Sequence, residues 1–216
     1  MPSAEPEAVV YYIHDPMCSW CWAFAPMLKQ LQEQLPEGVE FRRLIGGLAP
    51  DTDEPMSEEL REMVQGSWRR IQQHVPETEL NFAFWTDCEP RRSTYPSCRA
   101  VIAARQQGPA FELLMNTAIQ RAYYTQARNP SDVSTLVELA GEIGLDVDRF
   151  REALGSEAVR QALEAEISLA REMDVESFPA IVFEGRKGPR PIPLGYTDVH
   201  PMLEAIEAAL KKSAED

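Results

Sequence analysis

Cysteines at positions 18 and 21, in the stretch PMCSWCWAF (16–24), stand one helical turn apart, with Trp20 between them and Trp22 after the second. Two thiols at that spacing can close a disulfide with each other, hold half of a metal site, or lie in a core without chemistry. A C-x-x-C by itself admits all three. Cys88 and Cys98 bring the cysteine count to 4, the number in a structural zinc site. Their C-x₉-C spacing is not the short knuckle that zinc prefers. Cys98 shares a helical face with Val101 and Ile102, as a buried thiol would; a second disulfide, Cys88 to Cys98, is the other reading. Between them, EPRRSTYP (89–96) sets Arg91 beside Arg92. The pair suits an anion such as a glutathione carboxylate, or is simply solvated.

With the C-x-x-C at a helix start, the two thiols take different roles. Cys18 in the first turn faces unpaired backbone N–H groups and the positive end of the dipole, which favour a thiolate. A free cysteine titrates near ~8.5, and such sites lie one to several units lower. Cys18 is therefore the expected nucleophile and the more exposed thiol. Ser19 adds one hydroxyl, and the motif holds no lysine, arginine or histidine, so the expected activation is mild. Cys21 belongs to an apolar stripe and is expected to be buried, as suits a resolving thiol. Trp20 is expected to be partly exposed, a stacking platform for a peptide or small thiol, whereas Trp22 and Phe24 read as core. His14 just precedes the motif and is either structural or a modulator of the Cys18 thiolate.

The elements that must position these residues can be read along the chain. AVVYYIH (8–14) is β-branched and aromatic and stops at Asp15-Pro16, a buried strand. Cys21, Phe24, Ala25, Leu28, Leu31 and Leu35 follow as a helical stripe that ends before Pro36-Glu37-Gly38. VEFRRLIGG (39–47) is a second strand closed by two glycines, and a crossover of that length implies a parallel, right-handed pair. From Ser57 the period is helical for about a hundred residues without a fixed repeat, with Leu60, Met63, Val64, Trp68, Ile71 and Val75 on one face. After a further helix, PAIVFE (179–184) restores a strand. Pro189, Pro191 and Pro193 alternate in the next one, which only an edge strand tolerates. A helix striped by Leu203, Ile206, Ala209 and Leu210 closes the chain. The fold class is α/β: residues 1–55 and 156–216 form one discontinuous domain, and 56–155 an all-helical insertion.

Composition narrows the partners. The chain has 216 residues, 44% hydrophobic and 26% charged, with a formal net charge of −14. It can bury a core without cross-links, and its acidity argues against nucleic acid and anionic membranes as partners. No apolar run approaches the ~20 residues of a membrane helix. The N-terminus is acidic where a secretory signal is basic, so the expected location is cytoplasmic, where a C-x-x-C is more often catalytic or metal-binding than a structural bridge.

This arrangement resembles the thioredoxin fold, and the helical insertion makes it similar to the DsbA-like branch. The segments YYIHDPMCSWCW, RRSTYPSCRA and RAYYTQARNPSD, with Pro26 five residues past the second cysteine, resemble a bacterial set of predicted protein disulfide isomerases related to FrnE-type proteins. The Ser19-Trp20 dipeptide is neither the Gly-Pro of thioredoxins nor the Pro-His of DsbA proper. The resemblance implies a cis Phe178–Pro179 bond facing the C-x-x-C, with the Phe178 amide and carbonyl free to pair with an extended substrate. It also implies a thiol–disulfide oxidoreductase; no cofactor is expected, and the cysteine spacing argues against a metal. Cys18 would attack and Cys21 resolve, on protein or small-molecule disulfides and thiols, glutathione among them. The alternatives are a glutathione-dependent isomerase or transferase of the same superfamily, and a zinc- or peptide-binding module without turnover.

Overall fold

A computed structural model describes residues 7–214; residues 1–6, most of the acidic N-terminal stretch, lie outside the described residues. Strand β1 (Ala8–His14) is central because its side chains are apolar on both faces. Ala8, Val10 and Tyr12 pack against Phe24, Leu28, Met202 and Ile206, while Tyr11 and Ile13 pack against Leu44, Ala170 and Val182. Helix α1 (Ser19–Glu33) and strand β2 (Val39–Ile45) complete the opening unit. Gly38, at φ +82°, supplies the left-handed turn between them at no steric cost. β2 pairs parallel with β1, while strand β3 (Ala180–Gly185) pairs antiparallel with β1 and with strand β4 (Gly188–Ile192). The sheet order is β2-β1-β3-β4, so β4 is the edge that its prolines require. Pro189 and Pro191 are exposed, and Pro193 lies past the strand's end.

Six helices lie between β2 and the long helix α8 (Glu157–Glu172): α2 (Glu58–His74), α3 (Phe84–Asp87), α4 (Tyr95–Arg105), α5 (Ala110–Tyr124), α6 (Val133–Glu142) and α7 (Val147–Leu154). Helix α9 (His200–Ala214) follows the sheet. Side-chain caps start several of them: Ser57, Asp146 and Ser156 each accept a backbone N–H of the first turn, an arrangement worth ~1 kcal/mol apiece. Met63, counted in the apolar stripe of α2, is instead 61% exposed, because Trp68 and Ile71 turn a narrower face inward.

The division at residue 156 falls inside a shared core. Val159, Leu163 and Ile167 of α8 pack with α4–α7 and with Ile45 of β2, whereas Ala170 packs on the sheet. The Glu166 carboxylate accepts the Ile45 N–H at 2.7 Å and pairs with Arg105. α8 is thus a common wall, and the fold is a thioredoxin fold with inserted helices joined to it through buried contacts.

Candidate active site

Cys18 is the N-cap of α1, with extended backbone (φ −80°, ψ 115°). Pro16 and the Asp15 turn stop β1 and aim the chain into the helix, and the Cys18 N–H donates to the Asp15 carbonyl at 3.0 Å. As a cap, the Cys18 sulfur accepts the Cys21 N–H at 3.3 Å, the position at which a helix N-terminus receives negative charge. The thiol in turn donates to the Phe178 carbonyl at 3.4 Å, and the Phe178–Pro179 peptide bond is cis. Cys18 is 6% exposed and Cys21 0%. Cys18 is therefore the more accessible of the two, yet far more enclosed than expected, because the insertion and the 194–197 segment crowd the start of α1. The Phe178 carbonyl, expected to be free for substrate, is occupied by the resting thiol.

Electrostatically the site is lean. Burial pushes the Cys21 thiol well up, followed by its neighbour Cys18; the Asp15 backbone partly offsets this. Three tyrosine hydroxyls, those of Tyr12, Tyr124 and Tyr196, lie close enough to both cysteines to feel their charge, and burial is the main cause raising each. The Tyr124 hydroxyl is buried with no hydrogen-bond partner among the described residues. None of the three was singled out in the sequence, where Tyr12 and Tyr196 read as strand aromatics and Tyr124 as a helix aromatic.

His14 does not supply the charge expected of a modulator. It is buried, stacked on Tyr12 at 4.8 Å and 7°, with neither ring nitrogen partnered among the described residues. Burial, and then the Arg43 and Arg105 charges, lower its pKa to about 3, so it is neutral near pH 7. Trp20 is partly exposed, but its indole is already engaged: Nε1 donates to Ser67 of α2 at 3.1 Å, and the ring meets Tyr196 edge-on at 5.1 Å. Trp22 stacks on Tyr124 at 5.8 Å and donates to the Glu79 carbonyl. Both tryptophans thereby tie α1 to the insertion. Beside them an apolar groove of about 560 Å³ runs between α1 and residues 75–79, with Trp22, Pro26, Met27 and Tyr196 in its walls. Ser19 is partly exposed.

The second cysteine pair is dispersed. All four cysteines are free thiols; Cys98 donates to the Asp15 carboxylate at 3.3 Å and Cys88 to the Ala127 carbonyl at 3.0 Å. Among the described residues no group of three or more His, Cys, Asp or Glu side chains is placed to hold a metal ion. Arg91 donates to the Ser131 carbonyl and pairs with Asp132, so it is not an open anion holder.

Comparison with known proteins follows the same lines. A family model described as thioredoxin matches residues 11–188. A crystal structure from Nitrosomonas europaea, described as a candidate protein disulfide isomerase, superposes with a TM-score of 0.82 at 25% identity, covering 95% of this chain and 98% of that one. The cytosolic disulfide reductase DsbM from Pseudomonas aeruginosa gives 0.75 at 23% identity, covering 94% and 99%. Curated relatives are named ClpXP adapter protein SpxH: 28% identical over 178 residues in Halalkalibacterium halodurans and 24% over 174 in Bacillus subtilis. Each alignment covers 81% of this chain, which spans only 58% and 57% of those relatives' length. Among the described residues no helix is long and apolar enough to cross a membrane.

Proposed function

Because the chain belongs to the thioredoxin family whose model it matches, we propose that it is a thiol–disulfide oxidoreductase working through Cys18 and Cys21. The observation that carries this reading is the Cys18 sulfur. It caps α1, accepts the Cys21 N–H at 3.3 Å, and lies 3.4 Å from the Phe178 carbonyl at the cis bond. The Cys18 thiolate attacks one sulfur of a substrate disulfide, forming a mixed disulfide and releasing the other sulfur as a thiolate. The Cys21 thiolate then attacks the Cys18 sulfur and expels the second thiolate. The chain ends oxidised by two electrons, as a Cys18–Cys21 disulfide, and the substrate takes up two protons as two thiols; the reverse sequence oxidises a dithiol.

Cys18 and Cys21 are the catalytic pair, and Phe178, Pro179 and Trp20 border the substrate. Protein disulfides and small thiols such as glutathione are the partners, in the cytoplasm, where the dithiol is kept reduced. Titration against glutathione buffers, with free thiols counted in each, tests this. A reversible two-thiol change that disappears in Cys18→Ser is expected; no redox change across the buffer range would refute it. The names of the curated relatives support a second reading, an adapter that binds a protein partner without turnover. Partner binding retained in Cys18→Ser/Cys21→Ser, with no exchange in the wild type, would favour it.

A further inference from the structure

Asp15 is fully buried, yet both of its carboxylate oxygens are occupied. Oδ1 accepts the Met17 N–H at 2.7 Å. Oδ2 accepts the Leu48 N–H at 2.7 Å, the Thr94 hydroxyl at 2.7 Å and the Cys98 thiol at 3.3 Å. These donors are uncharged and come from three places: the turn before Cys18, the loop after β2, and the start of α4 in the insertion. A buried carboxylate is costly unless it is fully hydrogen-bonded, so this one has a geometric task to justify its place.

The task follows from its neighbours in the chain. The Asp15 carbonyl holds the Cys18 N–H, and its side chain holds the Met17 N–H. The 15–18 turn is therefore held by one residue, through its carbonyl and its carboxylate, and two of that carboxylate's four donors belong to the insertion. We propose that Asp15 is a positioning residue for the dithiol, and that Thr94 and Cys98 of the helical insertion fix the Cys18 turn through it. The inference rests on Cys18 being the reactive thiol. It assigns Cys98, which closes no disulfide, a role as a hydrogen-bond donor. It also gives the insertion a contribution to the reaction that does not depend on contact with substrate.

The groups that face the pair and titrate or carry charge are Asp15 and Tyr12 from β1 and its turn, Tyr124 from α5, Tyr196 from the segment before α9, and the two thiols themselves. Thr94→Val/Cys98→Ala leaves all of these in place and removes two donors from Oδ2. The turn then loosens, and the Cys18 sulfur loses its alignment on the Cys21 N–H. The test is the pH profile of Cys18 alkylation by iodoacetamide in a Cys88→Ser background. A higher midpoint is expected, with a rate at pH 7 lower by at least about threefold, the size of one lost neutral hydrogen bond.

Thr94→Ser/Cys98→Ser, which keeps both donors, should restore the wild-type profile. An unchanged profile in the Val/Ala pair, or an equal shift in the Ser/Ser pair, would overturn the proposal. So would a lower melting temperature with no change in profile, since the network would then serve folding alone. Thr94→Val by itself, expected to move the profile in the same direction, decides the matter if the double variant does not fold. Alkylation needs no turnover, so a wild type that alkylates normally but fails to exchange with glutathione disulfide would count against the proposed function and not against this inference.

Discussion

Gly46 is the residue whose replacement tests the architecture of the site most directly. A Cβ built on Gly46 would lie 2.0 and 2.2 Å from ring atoms of Phe178, and 2.8 Å from a third. Ordinary contact begins near 3.4 Å, so in Gly46→Ala the ring must retreat by about 1.4 Å. Phe178 is only partly buried and can swing outward. Its backbone is less free, because its carbonyl receives the Cys18 thiol and its peptide bond leads into buried Pro179. Overpacking of this kind costs ~1–3 kcal/mol. At roughly 2–4 °C per kcal/mol for a domain of this size, the melting temperature should fall by about 2–12 °C. Exchange with a peptide disulfide should fall at least about tenfold, since a misplacement near 1 Å can cost ~10²-fold. The assays are thermal unfolding and single-turnover exchange. Gly66→Ala serves as the control: it lies in α2 with nothing within 4 Å of a new Cβ, and it should gain about 0.5–1 kcal/mol with exchange unchanged. Gly46→Ala/Phe178→Ala should recover stability relative to the sum of the single changes. Strict additivity, or a Gly46→Ala protein with wild-type melting and exchange, would show that Phe178 is not held against Gly46.

In a Cys88→Ser background, limiting iodoacetamide should label Cys18 before Cys21, and Cys21→Ser should accumulate mixed disulfides; earlier labelling of Cys21 would reverse the assignment. Trp68, fully buried among Phe84, Trp85 and Tyr124, should cost ~3–5 kcal/mol as Trp68→Ala, read by chemical denaturation; a loss under 1 kcal/mol would mean that the insertion core collapses around the gap. His14 has a folded pKa of about 3 against 6.5, so below pH 6.5 the unfolded chain takes up a proton that the folded chain refuses. Its contribution is intact above pH 6.5 and lost as the pH falls, by ~2 kcal/mol between pH 7 and pH 5. Urea midpoints should show that loss in the wild type and not in His14→Phe; equal losses in both would place the titration elsewhere.

The sheet and its helices were legible because their signals are local. Six consecutive apolar or aromatic residues, from Ala8 to Ile13, read as a buried strand, and alternate prolines mark β4 as an edge. The boundary between domains was not legible in the same way. Nothing in the stripe of α8 says that Val159, Leu163 and Ile167 pack into the insertion while Ala170 packs on the sheet. Both surfaces are apolar, and periodicity reports that a face is buried, never against what.

The same limit explains the site. A C-x-x-C after a strand and before a helical stripe identifies Cys18 and Cys21 from nine residues of sequence. The groups packed around them come from residues far along the chain: Leu48, Thr94 and Cys98 on Asp15, Phe178 on Cys18, and Tyr124 and Tyr196 beside both thiols. Asp15 did leave a local trace, as an acid interrupting an apolar run with no cation within ten residues on either side. Such an acid either reaches solvent or is buried with donors, and only the second possibility makes it part of a mechanism. His14 shows the converse. Its position beside the motif suggested a charge for the thiolate, yet burial among apolar and cationic neighbours leaves the imidazole neutral. Adjacency in sequence therefore supplied the thiols proposed to react, and burial, which belongs to the fold, decided that the nearby imidazole carries no charge.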